Sequence, residues 1–437
     1  MPNINLHIML PEQKRKQIID LMNREVVPAM GCTEPIAVAL CAAKCAEVLG
    51  KTPDRIALYL SANILKNAMG VGIPGTGMIG LPIAIALGVT IGKSEYNLEV
   101  IRDVNPQAVE AGKKYIDEKR ISINLKTGIT EKLYIEAEAF DTEGNSALAV
   151  ISGGHTNFIK IARNGEYLLD KTSCSATDST SSDEELDLHT VYEFATTTPL
   201  DELQFILEAK KLNKSIAEHS FSHKYGHAVG RTLHCDRQRR IMGDSAFSRI
   251  LSYTTAACDA RMAGAPIPVM SNSGSGNQGI AATMPVVVYA DECKATEEQT
   301  IRALVLSHLT VIYIKQSLGK LSALCGCVVA TTGSACGICY LMGGGFDQIA
   351  ATTKNMIANL TGMICDGAKP SCAMKLSSGV STAVISALMA MEGHCVTSVE
   401  GIIDDDVDKS IHNLTHIGRD GMNETDRLIL DIMTSKN

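Results

Sequence analysis

ISINLKTGITEKLYIEAEAFDTEGNSALAVISGGHTNFIKIA, residues 121–162, is the stretch that decides the fold class. Its segments ISINL, LYIEAEA, SALAVIS and NFIKIA alternate apolar with polar residues, or run apolar, over strand-like lengths. Turn signals follow at Glu143–Asn145 (EGN) and Arg163–Glu166 (RNGE). We read a small antiparallel sheet of four strands over about 121–163. Outward from it the period changes. Pro11 to Val27, Ile36 to Leu49 and Ile79 to Val89 read as helices before the sheet. Leu203 to His219, Ile301 to Gln316, Gln348 to Met363 and Val380 to Met391 read as helices after it. Strand signals nearly vanish beyond Leu200. The fold class expected is α+β, with the sheet in the N-terminal half and an Ala/Gly-rich, all-helical C-terminal half. We divide the chain at 1–200 and 201–437, with the polar, Ser-rich stretch TSCSATDSTSSDEELD (172–187) as a linker or exposed loop.

Composition narrows the class. In 437 residues, 45% are hydrophobic, only 4% are aromatic and Trp is absent, so the core must be built from aliphatic residues with Gly and Ala allowing close helix contacts. The net charge of -8 argues against nucleic acid as the main partner, because phosphate binding wants a basic face. The longest uncharged apolar stretch, Met78 to Gly92, falls short of the ~18 residues of a membrane span. MPNINLHIMLPEQKRKQ at the start carries no long apolar run, so no export signal is expected and a cytoplasmic enzyme is. Fourteen cysteines are then expected as free or metal-bound thiols rather than disulfides.

The cysteines carry the chemistry. Cys365-Asp-Gly-Ala-Lys-Pro-Ser-Cys372 places two thiols around a Gly and a Pro, the kind of loop that wraps backbone N–H groups around an iron–sulfur cluster. A third ligand must come from Cys325 or Cys327 in CGCVVATTGSACG. Three ligands leave one iron open as a Lewis acid. Cys41, Cys45, Cys258 and Cys339 read as small buried core residues. Cys32, in MGCTEP, sits at an expected helix start, where the dipole should lower a thiol pKa and make it a base.

Other motifs weigh less. Ser271 to Gly279, SNSGSGNQG, is a polar nest before a helix, suited to gripping a carboxylate. Gly70, Gly72 and Gly75 match G-x-G-x-x-G, but Pro74 sits inside the turn, so a close backbone approach is expected rather than a nucleotide. His219, His223 and His227 have one-face spacing on a helix that Ser220, Ser222 and Gly226 weaken, so structural histidines are expected over zinc ligands.

Five segments in order, MGCTEPIAVALCAA, KNAMGVGIPGTG, SNSGSGNQGIAATMPV, CGCVVATTGSACG and GMICDGAKPSCAMKLSSG, resemble the L-cysteine desulfidase family, which is related to the alpha part of bacterial iron–sulfur L-serine dehydratases. The resemblance spans about Cys32 to Asn413. It implies a lyase that works without pyridoxal phosphate, with a 4Fe-4S cluster held by three Cys and one open iron, converting L-cysteine to pyruvate, ammonia and hydrogen sulfide. It implies Cys32 as the base and Cys365 and Cys372 as cluster ligands, and the family's spacing favours Cys325 as the third. It makes Ser273, Gly274, Ser275, Gly276 and Asn277 the substrate-binding loop, with Asn67 assisting. The serine dehydratases carry a His-Thr pair in their early motif where this chain has Gly31-Cys32-Thr33-Glu34, which favours cysteine over serine; His155-Thr156 lies at the sheet and is a weaker substrate-site candidate. The alternatives are L-serine dehydration and a non-catalytic iron–sulfur sensor. The partner expected is L-cysteine, with neither nucleic acid nor membrane, and homo-oligomerisation is left open.

Overall fold

The computed structural model describes residues 9–171, 185–319 and 321–435; most of the Ser-rich stretch, 172–184, lies outside them. Six strands form one sheet in the spatial order Ile121–Leu125, Arg55–Leu60, Tyr134–Phe140, Ser146–Ser152, Phe158–Arg163 and Glu166–Asp170. Four of these coincide with the alternating segments. Arg55–Leu60 and Glu166–Asp170 are additional. Arg55–Leu60 inserts between the first two expected neighbours and pairs parallel with Ile121–Leu125, so the sheet is antiparallel except at that edge. The Pro106–Asp117 helix precedes Ile121–Leu125 in the chain and makes a parallel return possible.

Alternation does the sorting. Along Tyr134–Phe140 every second residue, Ile135, Ala137 and Ala139, is fully buried. That face carries the Thr33–Leu49 helix, whose Cys41 and Cys45 donate to the carbonyls of Ala149 (3.3 Å) and Ala137 (2.9 Å). These two thiols are packing groups. Asn164 and Gly165, both at positive φ, close the hairpin before Glu166–Asp170.

The C-terminal half is a stack of helices: Leu207–Phe221, Ala246–Met262, Gly276–Glu292, Glu297–Leu318, Gly326–Leu341, Phe346–Leu360 and Cys372–Met391. Small residues set their spacing. A Cβ on Gly333 would lie 2.4 Å from the Ser307 carbonyl oxygen, so glycine lets two helix backbones touch. Buried hydroxyls are satisfied inside their own helices, as where Thr331 and Thr332 donate to the carbonyls four residues back. Cys372–Met391 is the one described helix long and apolar enough to cross a membrane, and it packs against Ala246–Met262, Gly326–Leu341 and Phe346–Leu360 as a bundle helix.

Candidate active site

Four helices begin at one cavity of about 110 Å³. Cys32 is the N-cap of Thr33–Leu49, Ser275 of Gly276–Glu292 and Cys325 of Gly326–Leu341, while Cys372 is the first residue of Cys372–Met391. Each helix start offers unpaired N–H groups and the positive end of a dipole. Their sum favours negative charge inside, whether thiolate or carboxylate. Cys365 and Cys327, Asn67, Gly274 and Asn277 also line the cavity. Ser273 and Gly276 do not: Ser273 donates to the Asn272 side chain, and Gly276 leaves space for Arg261.

Backbone pairing explains how distant segments meet. Pro28–Ala29 pairs antiparallel with Val269–Met270, and Ser271 N and Ser273 N donate to the carbonyls of Val27 and Glu25, both at 2.9 Å. This ribbon lays the Cys32 turn beside the SNSGSGNQG loop, and Thr33 Oγ1 fastens it by donating to Gly274 O at 3.1 Å. Gly31, at φ +72°, is needed where a Cβ would overlap the Pro74 ring. The cysteine loops are zipped likewise. Leu324 and Ile364 form an antiparallel bridge, with Cys325 N to Met363 O at 3.0 Å and Cys365 N to Ala323 O at 2.7 Å. Gly367, at φ +90°, lets this loop cross the Lys66 carbonyl, which a Cβ would meet at 2.3 Å.

His308 anchors the nest from below. Its ring nitrogens meet Asn272 Nδ2 at 3.1 Å and Thr283 Oγ1 at 2.9 Å, and complete burial pushes its pKa down to about 3. The unfolded chain takes up a proton at this residue below about pH 6.5, whereas the folded chain does not. Stability from His308 is therefore present above pH 6.5 and is lost as pH falls toward 3, at up to about 1.4 kcal/mol per pH unit. Thermal melts of wild type and His308→Gln should show a shallower pH slope between 6.5 and 4 in the variant; equal slopes would contradict this.

Cys32 corrects one expectation. Its Sγ donates to Glu34 Oε2 at 3.1 Å, and burial, with the Glu34 charge second, holds its pKa well above the usual thiol range despite the helix start and Arg261 nearby. The site thus holds a neutral Cys32 thiol hydrogen-bonded to Glu34. The Thr33–Leu49 helix was legible; the desolvation was not. Glu34 also accepts from Asn67 Nδ2 at 3.2 Å.

Cys325, Cys365 and Cys372 line one cavity, an all-thiol donor set of the chemistry that an iron–sulfur cluster takes. Among the described residues no three His, Cys, Asp or Glu side chains gather closely enough to hold a single metal ion. A cubane instead takes its protein thiolates at three separate corners. Cys325, buried and with Cys365 and Cys372 near enough to raise it further, has its pKa pushed up to about 12. Burial likewise raises Cys372. Such thiols stay protonated until metal displaces the proton. Cys327 differs: its Sγ donates to Lys375 O at 3.2 Å and packs on Gly379. Lys375 and Lys369 both pair with Asp366, and Lys375 also donates to Ile364 O at 2.8 Å, bracing the loop.

Arg261, Glu34 and Lys375 line the cavity and were not singled out in the sequence, whereas Gln278, which lines it too, belongs to the SNSGSGNQG nest. The signal for Arg261 was a single guanidinium in the apolar run AACDARMAGA. Cys258, expected as core, is buried directly behind the wall, its Sγ 3.6 Å from Asn277 Oδ1. His155 lines a neighbouring cavity with Thr33, Ser271 and Gly274, outside the thiol-lined one. His219 and His223 stack at 3.9 Å, with His219 Nε2 3.0 Å from Tyr225 Oη, and His227 lies beyond the helix end. Gly72 passes the Ala263 backbone where a Cβ would lie 2.3 Å away, so the G-x-G-x-x-G loop is a backbone crossing.

A family model described as serine dehydratase alpha chain matches residues 95–431. The chain belongs to the serine dehydratase alpha chain family. Membership in that family points to a lyase-type enzyme. The chain is 67% identical over 427 residues to a UPF0597 protein of Bacteroides fragilis, covering 98% of this chain and all of that one. It is 46% identical over 433 residues to a UPF0597 protein of Oleidesulfovibrio alaskensis, with 98% and 100% covered, and 46% identical over 422 residues to one of Photobacterium profundum, with 96% and 98% covered. The matched span takes in the SNSGSGNQG loop and both cysteine loops of this serine dehydratase alpha chain relative.

Proposed function

We propose that the chain is a pyridoxal-phosphate-independent iron–sulfur lyase that eliminates hydrogen sulfide from L-cysteine, leaving pyruvate and ammonia. What supports this reading is the sharing of one cavity, at four helix starts, by Cys325, Cys365 and Cys372 on one hand and the Cys32–Glu34 pair on the other. The three thiols would hold a 4Fe-4S cluster. When bound, such a cluster supplies a Lewis-acidic iron with a vacant position.

The chain's own groups do the rest. Cys32 loses its proton to solvent, and the thiolate so formed, oriented by the hydrogen-bonding contact with Glu34, removes the substrate Cα proton. Arg261 beside Cys32 favours the thiolate. The Cα electrons form the double bond as the Cβ–S bond breaks, and the departing hydrosulfide takes up the proton that Cys32 collected, leaving as hydrogen sulfide and restoring the thiolate. Aminoacrylate results, tautomerises and hydrolyses: L-cysteine and water give pyruvate, ammonia and hydrogen sulfide. Charge that builds beside the carboxylate is met by preorganised N–H groups at the Gly276–Glu292 helix start.

L-Serine dehydration by the same groups is the second reading, favoured by the description of the matching family model. An anaerobic assay of L-cysteine against L-serine, measuring both sulfide and pyruvate, tests the choice. Sulfide and pyruvate in equal amounts, with a larger kcat/KM for L-cysteine, are expected. Pyruvate from serine alone would overturn the cysteine assignment. For the third ligand, Cys325→Ser should lower the iron content of anaerobically purified protein and Cys327→Ser should leave it, since the Cys327 thiol is turned to Lys375 O. The reverse pattern would reassign the ligand.

A further inference from the structure

Three buried polar atoms without a hydrogen-bond partner belong to residues that line the same cavity: Arg261 Nε, Asn67 Oδ1 and Gln278 Oε1. Arg261 is 3% exposed. Its terminal nitrogens donate only to neutral oxygens, Asn277 Oδ1 and Gly31 O, each at 3.0 Å, and it forms no ion pair among the described residues. Gly276 is a glycine where a Cβ would lie 2.2 Å from Arg261 Nε, so the nest is cut to admit the guanidinium. A buried cation without a counter-charge is costly, and folds keep one where a ligand completes it. The two orphaned acceptors ask for the opposite, a donor. Asn67 is already turned by Glu34, and Gln278 holds Asn272 O through its amide nitrogen at 3.4 Å.

We infer that Arg261 is the anchor for the α-carboxylate of a free amino acid, with the Asn67 and Gln278 side-chain oxygens receiving its ammonium group. The inference rests on the lyase reading for which amino acid reacts, but it sets the substrate class by itself: a zwitterion with both ends free, not an amide, ester or peptide-linked residue. It also moves the main carboxylate contact from the Ser273–Asn277 backbone to a side chain that this loop positions. Asn277 holds the guanidinium, and Gly276 makes room for it. An Arg fork fixes a carboxylate in plane, which orients Cα–H toward Cys32.

The test uses L-alanine, which keeps both charged ends and lacks a leaving group, and L-alaninamide, which lacks the carboxylate. Binding to the anaerobic holoprotein is read by calorimetry. Wild type should prefer L-alanine over its amide by roughly 100-fold or more. Arg261→Lys should keep part of that preference and Arg261→Gln should erase it, while the KM for L-cysteine rises by a similar factor and the iron content holds. Equal binding of acid and amide by the wild type, binding of neither, or an unchanged preference in Arg261→Gln overturns the inference; the wild-type comparison decides it even if the Gln variant does not fold. A wild type that discriminates acid from amide yet releases neither sulfide nor pyruvate from cysteine or serine would sink the reaction and leave Arg261 standing. An active enzyme whose Arg261 variants keep their KM would do the opposite.

Discussion

Cys32→Ala is expected to keep its iron and lose lyase activity by about 10²–10⁴-fold, the range for removing a general base. The thiol is buried, so the smaller side chain disturbs no solvent-facing structure. Its polar contacts are with the Glu34 side chain and backbone N–H, and the cysteine loops are braced by other groups, namely the Leu324–Ile364 bridge and Lys375. Nothing that holds Cys325, Cys365 or Cys372 therefore passes through Cys32. Glu34→Gln should move the onset of activity to lower pH, because the Glu34 charge helps to hold the Cys32 thiol protonated. A pH signature follows from the raised Cys32 pKa. The base is the deprotonated form, so kcat/KM for L-cysteine should rise from neutral toward alkaline pH, and this rise should be absent from the residual rate of Cys32→Ala. An active Cys32→Ala with the wild-type pH profile would place the base elsewhere.

Asp426→Asn is expected to cost about 3–5 kcal/mol of stability, the range for stripping one partner from a buried ion pair. Lys66 is 1% exposed, and its Nζ pairs with Asp426 Oδ1 from the Asn423–Thr434 helix while donating to Cys365 O at 3.4 Å. Asn63 Nδ2 completes the carboxylate at 3.0 Å. Without the charge, an ammonium stays buried with a carbonyl as its nearest partner. The same contact reaches the Cys365 loop, so iron retention should fall with stability if that loop holds iron as proposed. Lys66→Met, which removes the buried cation and leaves the less buried carboxylate, should lose less. Denaturant midpoints with iron counts on the three proteins check this, and a variant of Asp426 as stable as wild type would contradict it.

What the sequence made legible follows the range over which each force acts. The strands from Tyr134 to Arg163 were readable because a one-sided sheet writes its burial as alternation. Arg55–Leu60 was not, since its inner residues run Ile, Ala, Leu, Tyr, Leu and four of these five are buried, a pattern that a buried helix shares. Its parallel pairing with Ile121–Leu125 depends on an intervening helix and leaves no local trace. Gly326–Leu341 carries Gly and Thr at positions of low helix propensity, and tight packing against Glu297–Leu318 overrides them. At the site, the glycine-flanked cysteines and the Ser-Gly nest stood out because backbone crossings demand those residues. Arg261 did not, because a missing counter-ion is a property of the packed interior. The Cys32 helix start could be read from MGCTEP, but the sign of its pKa shift could not, because burial outweighs the dipole only once the cavity exists.

Three thiolates with one corner left for the amino acid make one iron unlike the others, which Mössbauer spectroscopy of anaerobically purified, iron-57-enriched protein can resolve. About four irons per chain are expected, one of them spectroscopically distinct and shifting when L-cysteine or L-serine is added, with Cys365→Ser or Cys372→Ser losing the signal. A protein that carries no iron when fully active, or four equivalent irons indifferent to either amino acid, would contradict it.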